Sequence, residues 1–382
     1  MKRIEFITVL CGIAVSGIVV AFLPDGGHPS RPAVPSGVAP RHSSPPATVN
    51  PIAYNTKMLV LANIRPRTGC KETDGAASTM SAPAKAKRTR LATRPAAFVT
   101  KPTVLRPCPA PLWPAHAVYP DAGALLPFKR IVAYYGNFYS PRMGILGEYP
   151  PDQVLARLRS QAAVWAKADP STPVVEALDY IAVAAQDVPG RDGMYRMRMP
   201  PGQIEKAISL AGRIHGLLFL DVQPGWSTVQ AELPRLAPYL KLPNVELALD
   251  PEFALTEGKR PGAWIGTMSA ADINYAARFL AKIVRENHLP PKILVVHRFT
   301  QRMVTDLHAI KPLPQVEIVM DMDGFGSPVL KVATYKDFIA SQPVQFTGFK
   351  LFYKNDVKIG GHLMTPVQVL QLSPQPSYIL YQ

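Results

Sequence analysis

Val245-Glu246-Leu247-Ala248-Leu249-Asp250-Pro251-Glu252-Phe253 reads as a short apolar strand that ends on carboxylates around a proline. Seven similar runs flank it, at 131–135, 174–184, 217–221, 292–297, 316–321, 348–353 and 378–381. Each is a nearly continuous apolar stretch, the pattern of a parallel strand covered on both faces. Most are followed by a stretch with helical spacing. In 151–167, Val154, Leu155, Leu158, Ala162 and Trp165 recur on one helical face. Stretches 201–215 and 270–288 read the same way, the latter with Ser269 as its cap. Eight buried strands alternating with helices predict an α/β fold, a (β/α)8 TIM-type barrel over residues 121–382. No helix follows the eighth run, so residues 110–128 are expected to cover that gap.

The rest of the chain is unlike the barrel. Of 41 prolines, 18 precede residue 130, among Ala, Ser, Thr and Arg. The formal charge of +15 is also concentrated there, since residues 1–129 carry 16 Lys/Arg against 5 Asp/Glu. Residues 24–120 are poor in aromatics and rich in Pro, Ala, Ser, Thr and Arg, and are expected to form a disordered, basic, Pro-rich spacer. The mildly apolar stretch 55–63 is an exception, expected to dock as a strand. Residues 4–23 form an apolar run after Met1-Lys2-Arg3, broken only by Glu5, Thr8 and Ser16. About 20 residues at ~1.5 Å rise span a hydrocarbon core of ~30 Å. No Ala-x-Ala-like site follows, so 1–23 is read as a signal anchor holding the barrel outside the cytoplasm, with a cleaved signal peptide and a secreted barrel as the alternative. Cys70 and Cys108 could pair in an oxidising compartment or remain free thiols. The barrel holds no Cys, which excludes a cysteine nucleophile or thiolate-bound metal there.

Carboxylates gather at the predicted C-terminal ends of the strands, where such barrels place their active sites. If the extended path continues through Pro251, Asp250 and Glu252 project to one side. Asp321 and Asp323 share parity in Asp321-Met322-Asp323-Gly324-Phe325-Gly326, and Asp221 ends the third run. Carboxylates buried at three strand ends are expensive unless paired or used. Lys350, inside the seventh run, needs a negative partner, with Asp321 or Asp250 within reach. His297 ends the fifth run as a general acid/base, a donor to a sugar hydroxyl, or a core histidine. Tyr135, Trp226 and Tyr353 lie at or beyond strand ends, where aromatic planes stack on sugar C–H faces. Phosphate-loop, His-Glu-x-x-His and Gly-x-Ser-x-Gly motifs are absent. No motif implies a cofactor or a dedicated metal site.

Leu249-Asp250-Pro251-Glu252-Phe253, Val296-His297-Arg298-Phe299-Thr300, Asp321–Gly326, Leu351-Phe352-Tyr353-Lys354 and Met364-Thr365-Pro366 resemble an uncharacterised family of exported bacterial proteins over residues 130–382. The resemblance implies a glycosidase-like barrel and assigns no catalytic residue. The chain departs from familiar glycosidase clans in lacking an Asn-Glu pair on strand four and a Glu ending strand seven. These readings converge on a carbohydrate-active barrel outside the cytoplasm that hydrolyses a glycosidic bond. Glu252 is the expected proton donor, Asp250 or Asp321 the nucleophile or base, and Asp221, Asp323, His297 and Lys350 substrate contacts. A non-catalytic glycan-binding barrel and a metal-assisted hydrolase are the alternatives. The expected partners are a polysaccharide or envelope glycan and, through residues 4–23, a membrane; nucleic acid is not expected, and the chain is read as a monomer. The basic run 85–90 is a solvated charge cluster or an attachment to anionic envelope polymers.

Overall fold

Eight strands close on themselves. In the computed structural model, β1 (Arg130–Gly136), β2 (Val174–Ala185), β3 (Leu217–Val222), β4 (Val245–Leu249), β5 (Lys292–Arg298), β6 (Val316–Met322), β7 (Phe346–Leu351) and β8 (Tyr378–Tyr381) each pair in parallel with the next. Ile131 faces Tyr378 across the β1–β8 seam and Val175 across β1–β2, so the sheet has no free edge. The structure describes residues 48–64, 110–358 and 361–382. The chain divides into two units, one of Met1–Asn63 with Leu112–Gln382 and the other of Ile64–Pro111. The apolar run 4–23, Cys70, Cys108, the basic run 85–90 and most of the expected spacer lie outside the described residues. Among the described residues, no helix is long and apolar enough to cross a membrane.

The strands match their predicted positions closely, except β7. It was expected from Gly348 and instead opens at Phe346. It ends at Leu351, where the Asp356 carboxylate takes the Phe352 N–H at 2.9 Å while the Tyr353 N–H still donates to Gln382 O at 2.8 Å. Helices α2 (Pro151–Ala168), α3 (Pro201–Gly212), α4 (Val229–Leu240) and α5 (Ala270–Asn287) follow β1 to β4. Ser269 caps α5 in a reciprocal box with Asp272, as its position suggested. Between β5 and β6 two 3₁₀ turns, Gln301–Met303 and Leu307–Ala309, replace a helix. Helix α6 (Pro328–Tyr335) follows β6, and the short α7 (Pro366–Leu370) follows β7.

Two expectations about the amino-terminal side need correction. Residues Pro51–Ala62 form a helix, α1, rather than the strand expected over 55–63. Asn50 starts it by accepting the Ile52 and Ala53 N–H groups at 3.0 Å, and Pro51 fits its first turn. Its face of Tyr54, Met58 and Leu61 is buried, with Tyr54 edge-on to Phe128 and Phe346 at 6.5 Å. Phe346 opens β7, so the helix lies under the N-terminal end of the barrel. Residues 110–128 do not cover the side of β8. Their bonds run under the same end, from Asp121 N–H to Pro314 O (2.8 Å) and from Leu126 N–H to Glu317 (2.7 Å). The outer face of β8 packs on α2 instead, where Trp165 and Gln161 both donate to the Tyr381 hydroxyl at 2.9 Å.

Candidate active site

At the C-terminal ends of the strands lies a cavity of about 280 Å³. Tyr135, Asp250, Glu252, Asp323 and Lys350 line it, so five of the predicted residues meet there. Its polar half is built on four strands and the loops they launch. Asp250 follows β4, but the chain does not stay extended beyond it. Pro251–Phe253 is a 3₁₀ turn, and Asp250 caps it by accepting the Glu252 N–H at 3.1 Å. The two carboxyls therefore reach the cavity through a turn, not through strand alternation.

Glu252 is half-buried and its carboxyl is pushed up to about 7. Burial is the main cause, aided by the nearby Asp323 charge and opposed by Lys350 and His297. Burial and the Asp221 charge also raise Asp250 well above the carboxylate range. Lys350 pairs with Asp323, Nζ to Oδ1 at 3.0 Å, rather than with Asp321 or Asp250. Its ammonium also sits 3.9 Å from the Tyr135 ring centroid. Burial works against the Lys350 proton, and the charge and hydrogen bond of Asp323 lead the opposing causes, so the lysine stays cationic.

Beneath the floor is a second, sealed layer. Asp221, Asp321 and His297 are fully buried and do not line the cavity. Tyr135 joins the layers, its hydroxyl donating to Asp221 Oδ2 at 2.6 Å. Gln223 accepts the Ala185 N–H through Oε1, which fixes its amide and turns Nε2 towards the Tyr135 hydroxyl (3.0 Å) and Asp250 (3.4 Å). His297 Nδ1 meets Asp321 Oδ2 at 2.9 Å. Burial disfavours the imidazolium, but that bond and the charges of Asp323, Asp321 and Asp221 hold the histidine at about 10. The pair thus keeps one proton through neutrality. His297 is a core ion-pair partner here, not a sugar donor. Asp321 exists where it does because residue 348 is glycine: a Cβ there would stand 2.4 Å from Asp321 Oδ1.

Two predicted contacts lie elsewhere. Trp226 packs on Tyr195 with centroids 4.2 Å apart and donates to Lys259 O at 2.6 Å. Tyr353 faces outward, its hydroxyl 3.1 Å from that of Tyr134. Two participants escaped the sequence reading. Asp179 sits inside β2 and accepts from Tyr378 at 2.7 Å. Burial, with Asp221 beside it, lifts its carboxyl to about 7. Lys331 donates to Gly324 O (2.7 Å) and Lys350 O (2.8 Å) and pairs with buried Asp356 (3.1 Å), pinning the loops after β6 and β7. A lone carboxylate inside an apolar run and a lysine at a helix start were the available signals. Among the described residues, no group of three or more His, Cys, Asp or Glu is arranged to hold a metal ion.

No family model matches the chain, and no curated protein matches it. Among solved structures, a Bacillus subtilis mannanase aligns with TM-score 0.35 and 11% identity, over 66% of this chain and 79% of that one. A GH18 chitinase from Pseudoalteromonas aurantia gives 0.33 and 11%, over 66% and 93%. Plasmodium falciparum HPPK-DHPS with pteroate gives 0.31 and 9%, over 69% and 46%. Likeness this low carries no function to this chain, and its fold rests on the strand pairings above.

Proposed function

We propose that the chain is a carbohydrate-active barrel that hydrolyses a glycosidic bond in an envelope or environmental polysaccharide, working outside the cytoplasm. One feature carries the reading: Glu252 lines the cavity half-buried beside the Asp323–Lys350 pair, and that burial pushes its carboxyl up to about 7. A carboxyl that keeps its proton near neutrality suits protonation of a leaving-group oxygen. Glu252 gives that proton as the C1–O bond breaks. Asp323, whose Oδ1 faces the lysine, either attacks the anomeric carbon or takes a proton from the attacking water. Asp250 holds its own proton and so serves as a hydrogen-bond donor to the sugar rather than as the base. Asp321, sealed under the floor, acts on the cavity only through charge. The apolar run 4–23 behind Met1-Lys2-Arg3 supports the location; finding the full chain in the cytoplasmic fraction would overturn it.

A screen of glycans and cell-wall polymers against the full chain tests the reading. Hydrolysis by wild type and its loss in Glu252→Gln and Asp323→Asn is the expected result. Hydrolysis unchanged in Glu252→Gln would overturn the assignment. A glycan-binding barrel without turnover is the second reading, favoured by the engagement of Asp323 by Lys350. Saturable glycan binding with no product in any sample would select it.

A further inference from the structure

The cavity has two unlike halves. Opposite the ionisable groups, the segments after β5, β6 and β7 supply an apolar arc of Phe299, Phe325, Leu330 and Phe352, all lining the cavity. Gly324 is packed between two of the neighbouring side chains: a Cβ there would stand 3.3 Å from Phe299 Cβ and 3.4 Å from Thr334 Cγ2, so glycine lets them close up. Phe325 and Phe352 meet edge to face at 5.9 Å, and Leu330 lies against Gly326. The arc joins the ionic half at Phe352, whose ring centroid is 5.1 Å from Lys350 Nζ.

Two features separate this arc from ordinary loop packing. Helix α6 holds Leu330 52% exposed at the mouth, with neighbouring Val329 81% exposed, although Lys331, next in the chain, is fully engaged underneath. Aliphatic side chains held rigidly towards water beside a cavity mark a surface that a ligand covers. The adjacent charges are also already matched, Lys350 by Asp323 and Lys331 by Asp356. The arc therefore offers neutral contact area and few hydrogen bonds, which suits hydrocarbon better than further sugar hydroxyls. Because α6 is pinned, binding there spends little entropy on ordering the site.

We infer that the arc is a subsite for a hydrocarbon substituent of the saccharide, an acyl chain or aryl group carried next to the bond to be broken. The saccharide half of this inference rests on the glycosidase reading; the hydrocarbon half does not.

Titration calorimetry of methyl, butyl, hexyl and octyl β-glucosides, each below its micellar concentration, tests it on the full chain carrying Glu252→Gln, which removes turnover from the measurement. One molecule binds per chain, and affinity climbs roughly two- to fourfold per added methylene, as burial of CH₂ groups requires. Leu330→Asp and Phe325→Ala each weaken the octyl glucoside by about tenfold and leave the methyl glucoside unchanged. Residue 330 is exposed, so the aspartate variant keeps the fold, checked by its thermal melt. An affinity that is flat along the series, or a slope that survives both substitutions, overturns the subsite. Octanol binding as tightly as octyl glucoside overturns its attachment to a sugar. Failure of hydrolysis in the polymer screen leaves the alkyl series readable, so the two proposals fail separately.

Discussion

The two ends of the barrel bury charge in opposite ways. At the N-terminal end, Glu317 accepts the Leu125 and Leu126 N–H groups at 3.1 and 2.7 Å, and Glu246 accepts that of Ile293 at 2.6 Å. Lys292 donates to Leu242 O and Val245 O at 2.6 and 2.8 Å. These side chains bind backbone and tie the bottom of the barrel to its loops. Under the cavity, Asp179, Asp221, Asp321 and His297 bond to side chains, and each leaves one buried polar atom without a hydrogen-bond partner. An unmet buried polar atom costs free energy that Glu317, Glu246 and Lys292 avoid, although at the same end Tyr54, Arg130 and Gln345 each leave one. The difference teaches that one layer is arranged for stability and the other for an electrostatic task.

The sharpest way to break this contrast is to separate activity from stability. Glu252→Gln is expected to lower kcat by about 10²–10⁴-fold while shifting the thermal midpoint little. Equal losses in both would show that the upper end is structural as well. In wild type, kcat/KM is expected to fall as pH rises through about 7, because Glu252 must carry its proton to act. A profile rising across that pH would assign it the opposite role.

His297→Ala probes the sealed layer. It strips the cation from among Asp321, Asp323 and Asp221 and is expected to cost about 3–5 kcal/mol, read from urea midpoints. A cost under about 1 kcal/mol would mean that the layer tolerates unpaired carboxyls by protonating them.

Glu317 sharpens the comparison through its pH dependence. Burial raises its folded carboxyl to about 8, while the unfolded chain ionises near the ordinary 4.5. Between those values the folded state holds the extra proton, so this group's contribution to stability falls as pH rises from about 5 to 8. Glu317→Gln is expected to flatten that slope in urea midpoints compared at pH 5 and 8. The smallest effect belongs to the helix beneath the barrel. Asn50→Ala removes its cap and is expected to cost about 1 kcal/mol without changing activity.

The barrel was legible because buried parallel strands leave a signal that needs no partner to read: short apolar runs at regular spacing. The site was legible only in part. Asp250, Glu252 and Asp323 announced themselves as carboxylates at strand ends. Asp179 did not, because it sits mid-strand and its partner, Tyr378, is 199 residues away in sequence. The partner of Lys350 was misjudged for a related reason. Parity places Asp321 and Asp323 on one face, but which of them the ammonium reaches depends on strand stagger. The path through Pro251 turned because the Asp250 side chain offered the backbone a cap, a local competition that alternation rules ignore. The stretch 55–63 reads as strand from its apolar residues alone, whereas Asn50-Pro51 just ahead of it carries the start signal of the helix Pro51–Ala62.

The space opposite Asp321 has an evolutionary corollary. Position 348 can gain a methyl group only if position 321 gives up its carboxylate, since the two would occupy the same volume. Relatives of this chain should therefore vary at these two sites together or not at all. A homologue with alanine at 348 should have lost the aspartate, and with it the imidazolium that aspartate sustains under the cavity.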